Sequence, residues 1–366
     1  MIRTLGRLQR KCGFGLHVLE MNLKRPRLPL KINFALTYRC QYKCKTCNIW
    51  QLKPANELTT DELLCFIDRN DFVRWVDLTG GEIFLRPDID EIFTSIALRW
   101  KRLAVLHFPT NGYLTERIVT STQRLASSNS FPIVVTVSLD GPEKLNDTAR
   151  GVAGGYRRQI ETFRRLRCLD GVKAVLGLTL SSLNAGFLRE TLAAVEADCP
   201  GFTADELHVN IMQVSSHYYQ NDEVAQLKPS REQALQDLSS HRERCSSTWR
   251  PSVLLERRFV ELAEVFLSED RTPIPCFALR ASCFIDPWGT VFPCITYDRQ
   301  IGNLRETGMD LKVLWRRAAV ALLQRQIERG DCPQCWTACE AYQSILGNLL
   351  RGSRVITRKG DDHQPT

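Results

Sequence analysis

Three cysteines near the start of the chain carry the most distinctive chemistry in the sequence. Cys40, Cys44 and Cys47 are separated by three and then two residues. Thiolates at this spacing can hold one [4Fe–4S] cluster, and a cluster with only three thiolates leaves one iron free to bind a small molecule. The alternatives are part of a zinc site, although no His lies near this run, and a disulfide, which a cytosolic chain disfavours. The spacing therefore favours a cluster that takes part in chemistry.

The other cysteines are concentrated towards the opposite end of the chain. Of 14 cysteines, six follow residue 275, and such clustering favours a metal site over scattered core thiols. Residues Ile285–Val291 read as a β-hairpin with a Pro/Gly turn, and a helix is expected over Leu311–Gln326. The six cysteines are Cys276, Cys283, Cys294, Cys332, Cys335 and Cys339. The pattern predicts a second metal site on a hairpin, a short helix and a C-x2-C pair.

The length and composition fit one large domain and a small one. The 366 residues are 43% hydrophobic and 25% charged, as in an ordinary globular protein. The sequence contains no apolar run of about 18 residues and no apolar segment of a secretory signal. We therefore expect no transmembrane segment and a cytoplasmic location.

The net charge of +8 is concentrated in the first 31 residues. Eight Lys and Arg residues stand there against one acid, Glu20, which gives +7. A basic arm that also carries leucines could make peripheral contact with an anionic membrane or touch nucleic acid. We favour the interpretation that this arm packs across the base of the main domain with its charges in solvent.

Strand-like and helix-like segments alternate from residue 31 to about residue 270. This alternation is typical of βαβ units and a parallel sheet, in which active-site residues gather at the carboxyl ends of the strands. The predicted strands are Lys31–Thr37, Val73–Thr79, Leu103–Phe108, Ile133–Leu139, Val172–Leu180 and Glu206–Val214. The predicted helices are Asp61–Arg69, Ile89–Trp100, Thr115–Ala126, Tyr156–Cys168 and Phe187–Ala197.

Polar or glycine-rich clusters follow the ends of these strands. The three cysteines follow the first strand, and Gly80, Gly81 and Glu82 follow the second. Glycines let the backbone approach a ligand closely, and a carboxylate can accept hydrogen bonds from an ammonium group. Further candidates at or after the next two strand ends are Asn111, Ser138, Asp140 and Arg150. Each of these could also cap a turn or form a surface ion pair.

Together these motifs closely resemble those of the radical S-adenosylmethionine (SAM) superfamily. In that family a C-x3-C-x2-C run holds a [4Fe–4S] cluster whose free iron chelates the amino and carboxylate groups of SAM. The resemblance implies that the Gly-Gly-Glu motif binds the SAM amino group, that Ser138 or Asp140 lies near the ribose, and that Arg150 lies near the carboxylate. Asn111 is a further candidate for this site. The implied fold is α/β, a partial (β/α)6 TIM-like barrel with a small cysteine-rich α+β extension at its C-terminus.

The second cysteine group resembles the auxiliary-cluster extensions of the same family, the SPASM domain and its shortened "twitch" form. A full SPASM domain normally has seven cysteines and two clusters, so the six cysteines here fit one auxiliary [4Fe–4S] cluster better. The implied ligands are Cys276, Cys294, Cys332 and Cys335, with Cys283 or Cys339 as alternatives to one of them. A structural zinc on the same thiolates is the competing interpretation. The implied organisation is an arm over 1–30, a barrel over 31–270, an auxiliary-cluster domain over 271–350 and a polar tail over 351–366.

The resemblance implies an enzyme that reductively cleaves SAM to a 5′-deoxyadenosyl radical, which abstracts hydrogen from a substrate carbon. A flavodoxin- or ferredoxin-type protein would supply the electron, and the substrate would be a peptide or a small metabolite. No catalytic acid or base is assigned, although four residues near the end of the sixth strand could face the substrate, namely His208, His217, Tyr218 and Tyr219. The alternative is an iron–sulfur or zinc protein for binding or electron transfer, which would need neither the Gly-Gly-Glu motif nor Arg150.

Overall fold

A computed structural model describes residues 2–129 and 131–350, which form one nine-stranded sheet with helices around it. The strands are β1 (Lys31–Thr37), β2 (Trp75–Gly80), β3 (Val105–Thr110), β4 (Ile133–Ser138), β5 (Val172–Leu180), β6 (Leu207–Ile211), β7 (Ser282–Ile285), β8 (Thr290–Phe292) and β9 (Gly302–Asn303). The helices are α1 (Ile2–Leu23), α2 (Thr60–Arg69), α3 (Ile89–Arg99), α4 (Thr115–Ser128), α5 (Glu143–Arg150), α6 (Gly155–Arg167), α7 (Leu188–Asp198), α8 (Arg231–Arg244), α9 (Pro251–Glu269), α10 (Leu311–Trp315), α11 (Ala318–Arg329) and α12 (Ala338–Gly347).

The first six strands form the parallel part of the sheet. Each pairs in parallel with the next strand along the chain, and at least one helix connects each pair. All seven residues of β1 are buried, as expected for a parallel strand that is covered on both faces. The predicted α/β architecture of six β/α units with a C-terminal extension is confirmed.

The predicted hairpin is also confirmed, and it extends the same sheet. β7 pairs antiparallel with β8, with Ile285 opposite Val291. β7 also pairs in parallel with β1, where Cys283 stands opposite Ile32. The turn residues predicted the hairpin, but its attachment to β1 joins distant segments and has no local sequence signal.

Helices α9 and α12 lie beside the edge strand β6 and pack on each other. The indole of Trp336, just before α12, donates to the carbonyl of Phe259 in α9 at 2.9 Å, and the two rings stack at 5.8 Å. The backbone N–H of Ala338 donates to the side chain of Asn210 in β6 at 3.4 Å. These contacts place the C-terminal segment next to the barrel interior.

The N-terminal arm is a helix, α1, which the sequence analysis did not predict. It packs across the base of the barrel, as expected for the arm. Phe14 contacts Trp75, the first residue of β2, with ring centroids 6.4 Å apart. Asn22 donates to the carbonyl of Leu346 in α12 at 2.8 Å. Three glycines lower the intrinsic helix propensity of this segment, so these tertiary contacts stabilise it as a helix.

One predicted helix is wrong in its extent. The segment Leu311–Gln326 forms two helices, α10 and α11, because Arg317 between them is extended, with φ −64° and ψ 142°. The guanidinium of Arg317 donates to the carbonyl of Ile301 at 3.2 Å, which holds the break in place. The predicted polar tail over 351–366 lies outside the described residues. Within the described residues, no helix is long and apolar enough to cross a membrane.

A buried ion pair lies near the amino ends of the first two strands. The ammonium of Lys31 in β1 contacts the carboxylate of Asp77 in β2 at 2.8 Å, and neither side chain is more than 9% exposed. Burial alone would raise the pKa of Asp77, but the charges of Lys31 and His107 outweigh it and hold that pKa well below its ordinary value. The carboxylate is therefore charged inside the barrel.

We expect Lys31→Met to destabilise the protein by about 3 kcal/mol, because it removes one charged partner from a buried carboxylate. Chemical denaturation measures the loss in the free energy of unfolding. The control is Lys31→Met/Asp77→Asn, which should recover part of the stability because the buried charge is gone. Equal destabilisation in the single and double variants would contradict the assignment of the cost to charge.

Candidate active site

A large cavity of about 1120 Å³ fills the barrel interior and brings most of the candidate residues together. The cysteine run (Cys40, Cys44 and Cys47) lies on its wall at the carboxyl ends of the strands. The other candidates on the wall are Gly80, Gly81, Asn111, Ser138, Asp140 and Arg150. These residues come from the ends of four neighbouring strands and from α5. They therefore lie together, as expected for clusters that follow the carboxyl ends of parallel strands.

The thiols of the cysteine run are partly buried beside a cation. Burial raises the pKa of Cys40 to about 11 and the pKa of Cys47 to about 12. Burial also raises the pKa of Cys44, and the nearby charge of Arg150 acts in the opposite direction on all three. Metal binding deprotonates thiols and would offset this burial cost. Three neighbouring, partly buried thiols with a guanidinium next to them fit a site for a cluster bound by thiolates.

Two glycines are required where the end of β2 meets the start of the cysteine run. A Cβ added at Gly80 would lie 2.1 Å from the carbonyl oxygen of Thr37, and one added at Gly81 would lie 2.2 Å from that of Arg39. Gly80 also has a φ of +135°, which residues with a side chain rarely adopt. The N–H of Gly81 donates to the Thr37 carbonyl at 2.7 Å. These glycines therefore allow direct backbone contact just before Cys40, besides lining the cavity.

We expect Gly81→Ala to displace the cysteine run, because the obstructing atom belongs to the backbone and cannot rotate away. The reconstituted variant should lose about four iron atoms per chain, the content of one cluster. Iron and sulfide analysis measures this loss. Gly15→Ala in α1 is the matched control, since nothing lies within 4 Å of the added Cβ. A Gly81→Ala protein with the full iron content would show that the contact is dispensable.

The carboxylate of Glu82 lies behind the cavity wall. The side chain is fully buried and accepts hydrogen bonds from the hydroxyl of Thr110 at 2.9 Å and the backbone N–H of Asn111 at 2.8 Å. Burial raises the pKa of Glu82 to about 7, and these donors limit the rise. Both of these donors bind Oε2, while Oε1 accepts only from the backbone N–H of Phe84 at 3.3 Å, so the role of this carboxylate towards an ammonium group stays a prediction. In this structure Glu82 fixes the turn after β3, where the Asn111 amide donates to the sulfur of Cys40 at 3.9 Å.

Arg150 and Asp140 form a buried ion pair on the cavity wall. Their side chains meet at 2.7 Å and are each 11% exposed. Asp140 also accepts from the backbone N–H of Thr179 at 3.0 Å, and the ring of Tyr42 lies 5.4 Å from the guanidinium. Burial alone would lower the pKa of Arg150, but the charges of Cys44 and Asp140 outweigh it and raise that pKa. Nε of Arg150 has no hydrogen-bond partner among the described residues, so the guanidinium retains donor capacity for a ligand.

The four predicted auxiliary ligands lie near the hairpin. They are Cys276, Cys294, Cys332 and Cys335. Burial raises the pKa of each thiol, to about 12 for Cys294. The charges of Cys294 and Cys332 also raise the pKa of Cys276, and those of Cys276 and Cys294 raise the pKa of Cys335. Backbone N–H groups donate to the sulfurs of Cys276 at 3.4 Å and Cys294 at 3.3 Å. Such N–H···S contacts stabilise thiolates that bind an iron–sulfur cluster.

The two alternative ligands occupy different places. Cys283 is fully buried in β7, opposite Ile32. Cys339 lies in the first turn of α12 and lines the barrel cavity, and burial raises its pKa to about 12. The charge of Cys294 acts on Cys339 as well as on Cys276 and Cys335, so the choice among these ligands stays a prediction. In the part of the chain that the structure describes, no three His, Cys, Asp or Glu side chains are positioned to hold a single metal ion.

A polar cluster on the cavity wall was only partly anticipated. His208 was expected near the end of the sixth strand, but it is the second residue of β6. Its imidazole contacts Glu256 of α9 at 2.6 Å, and Tyr342 of α12 donates to the same carboxylate at 2.5 Å. Burial alone would lower the pKa of His208, but Glu256 outweighs it and raises that pKa. The three residues lie on separate elements 48 or more positions apart, so no local pattern relates them.

The remaining candidates after β6 divide between the cavity and the hairpin. Tyr218 and Tyr219 line the cavity, and the hydroxyl of Tyr218 shares a hydrogen bond with Thr79 at 2.7 Å. His217 instead hydrogen-bonds to the carbonyl of Cys294 at 3.0 Å. Tyr219 packs against the same apolar cluster as Cys47 and Cys339, and its carbonyl accepts from the backbone N–H of Asn48 at 2.9 Å, so this tyrosine lies next to the cysteine run.

Two family models match this chain. One, described as the radical SAM superfamily, matches residues 34–180, from within β1 to the end of β5. The other, the SPASM model, is described as an iron–sulfur cluster-binding domain and matches residues 276–340. The first match contains the cysteine run and the glycine pair, and the second contains the hairpin and the four auxiliary thiols.

The chain is also similar to individual proteins. It is 24% identical over 285 residues to the antilisterial bacteriocin subtilosin biosynthesis protein AlbA of Bacillus subtilis, a match that covers 76% of this chain and 58% of AlbA. It is 25% identical to the AdoMet-dependent heme synthase of Methanosarcina barkeri over 84% of this chain and 88% of the synthase. The structure of Streptococcus suis SuiB bound to the precursor peptide SuiA has the same fold, with a TM-score of 0.57 at 18% identity over 83% of this chain and 68% of SuiB.

Proposed function

This chain belongs to the radical SAM superfamily and carries a SPASM domain, and we propose that it is an enzyme that uses SAM to modify a substrate at an unactivated carbon. One observation carries the proposal. The cysteine run, the glycine pair and the Arg150–Asp140 ion pair converge on one cavity. A protein that only stores a cluster or carries electrons would need the thiols but not the other two features.

The cysteine run would hold a [4Fe–4S] cluster with one iron free for SAM. When bound, such a cluster would supply one electron to SAM, whose cleavage would give methionine and a 5′-deoxyadenosyl radical able to abstract hydrogen from the substrate. The mostly apolar interior of the barrel would keep water away from this chemistry. The electron would come from a flavodoxin- or ferredoxin-type protein.

The chain's own residues would bind and orient SAM. Arg150 would donate to the SAM carboxylate with the part of its guanidinium that Asp140 leaves unpaired. The Gly-Gly-Glu motif would bind the SAM ammonium, with backbone carbonyls around Gly81 as the nearer acceptors, because Gly80 and Gly81 line the cavity and the carboxylate of Glu82 lies behind its wall. Ser138 would lie near the ribose. Asp140 would then act mainly by holding Arg150 in position.

The four auxiliary thiols would hold a second [4Fe–4S] cluster. We infer that the substrate binds between the two cysteine groups, where Tyr219 and Cys339 line the cavity. This arrangement supports the proposed organisation, with a barrel over 31–270 and an auxiliary-cluster domain over 271–350. The N-terminal arm over 1–30 and the polar tail over 351–366 complete the proposed domain organisation. The enzyme would work in the cytoplasm, with the arm available for peripheral membrane contact.

A peptide is the substrate class that we propose. AlbA is named for the biosynthesis of a bacteriocin, and SuiB was solved with a precursor peptide. A tetrapyrrole is the second candidate, because the match to the heme synthase covers 88% of that relative, whereas the match to AlbA covers 58%. The cavity of about 1120 Å³ is large enough for SAM together with part of either substrate.

The substrate class is tested by the rate of 5′-deoxyadenosine formation. Reconstituted protein, SAM and dithionite are mixed anaerobically with a peptide library or with an iron porphyrin, and products are followed by chromatography and mass spectrometry. We expect a peptide to accelerate 5′-deoxyadenosine formation and to change in mass. Acceleration by the porphyrin alone would assign the second candidate instead. A protein that cleaves SAM but responds to neither would contradict both.

A further inference from the structure

The helix α1 carries apolar side chains on two opposite sides. On the inner side, Phe14 and Met21 pack against the base of the barrel. On the outer side, Leu16, Leu19 and Leu23 are 67%, 45% and 71% exposed. A surface helix normally has one apolar stripe towards the core and a polar face towards solvent. The inner stripe accounts for the position of α1, whereas the outer leucines have no role in the packing described above.

The end of α12 adds to the same surface. Leu349 and Leu350, just after α12, are 59% and 62% exposed. The N–H of Leu350 donates to the side chain of Asn22 at 2.8 Å, which holds this segment beside α1. We call Leu16, Leu19, Leu23, Leu349 and Leu350 the leucine face. They are five of the eleven large apolar side chains that are exposed among the described residues, and such concentration marks an interaction site.

The charges next to the leucine face are mainly positive. The exposed cations at the end of α1 and in the turn after it are Lys24, Arg25 and Arg27. Two acids offset them in part, since Glu20 pairs with Lys24 at 3.3 Å and Glu328 pairs with Arg25 at 2.6 Å. Among residues 351–366, whose position the structure does not describe, four are Lys or Arg and two are Asp. A partner for this face should therefore be anionic as well as apolar.

We propose that the leucine face docks on an anionic lipid membrane, with its leucines at the boundary of headgroups and acyl chains. Leucines on one side of a helix with Lys and Arg beside them are the pattern of helices that lie in the membrane interface. A second copy of this chain is a poorer partner, because two leucine faces would bring like charges together. The basic segment 351–366 would meet the same repulsion. This inference deepens the peripheral membrane contact proposed for the arm and does not depend on the SAM chemistry.

Vesicle sedimentation of the full-length, cluster-loaded protein tests the proposal. We expect binding to vesicles of phosphatidylcholine with phosphatidylglycerol, much weaker binding to phosphatidylcholine alone, and loss of binding at high salt. Leu16→Ser/Leu19→Ser/Leu23→Ser should weaken binding by about tenfold or more, because apolar burial drives insertion. Lys24→Glu/Arg27→Glu should remove the preference for the anionic lipid.

The matched control is Val313→Ser/Leu322→Ser, which removes two equally exposed apolar side chains from α10 and α11. It should bind vesicles like the wild type. SAM cleavage in solution by the leucine variant should be unchanged, which shows that the variant is folded. The proposal is overturned if the leucine variant binds vesicles as well as the wild type does. It is also overturned if the wild-type protein does not bind the anionic vesicles. A third contradicting result would be a wild-type protein that is dimeric and becomes monomeric with the leucine substitutions, because the leucine face would then be a protein interface.

Discussion

Cys40→Ala is expected to reduce the formation of 5′-deoxyadenosine from SAM to below detection. The remaining two thiols cannot hold a cluster that has a single free iron. The iron content should fall by about four atoms per chain, while the iron at the auxiliary thiols stays bound. Anaerobic reconstitution followed by iron analysis and chromatography of the nucleoside measures both effects.

Cys168→Ala is the control for this experiment, because Cys168 is an exposed thiol outside both cysteine groups. The control should load iron and cleave SAM like the wild type. SAM cleavage that persists in Cys40→Ala would mean that the cysteine run does not hold the catalytic cluster. Loss of all iron in that variant would instead show that the two cysteine groups are not independent.

Arg150→Met is the change with the second largest expected effect. It leaves the carboxylate of Asp140 buried without its cation, which should destabilise the protein by about 3–5 kcal/mol. It also removes the proposed partner of the SAM carboxylate, so SAM affinity should fall about tenfold or more. Chemical denaturation and calorimetric titration with SAM measure the two effects separately.

The double variant Arg150→Met/Asp140→Asn distinguishes structure from binding. Asparagine still accepts the backbone N–H of Thr179 but carries no charge, so much of the stability should return. SAM affinity should remain low, because the guanidinium is still absent. If the double variant binds SAM like the wild type, Arg150 stabilises the fold but does not contact SAM.

The elements of the barrel were largely predictable because local patterns determine them. The first and fifth strands, Lys31–Thr37 and Val172–Leu180, match their predictions at both ends, and the other four strands overlap theirs. Alternation of apolar strands with helices requires a parallel sheet, and the parallel sheet places the strand ends together. The grouping of the cysteine run, the glycine pair, Asn111 and Asp140 followed from that logic without any knowledge of contacts.

The contacts that depend on distant segments were not predictable. The glycine pair was singled out for its approach to a ligand, whereas a large part of its role is the backbone contact with Thr37 and Arg39. The side chain of Glu82 is oriented by donors on the next strand end, which the motif itself does not reveal. The break between α10 and α11 at Arg317 lies in a segment whose apolar residues keep a helical spacing throughout. It depends on the contact of Arg317 with Ile301. In each case the deciding partner is remote in sequence.

The central claim is that this protein cleaves SAM reductively, and the assay of 5′-deoxyadenosine tests it most directly. Purified protein is reconstituted with iron and sulfide, mixed anaerobically with SAM and dithionite, and analysed by chromatography. We predict formation of 5′-deoxyadenosine that requires both SAM and the reductant and occurs even without the natural substrate. A protein with fully loaded clusters that forms none would contradict the account and leave a role in cluster binding or electron transfer.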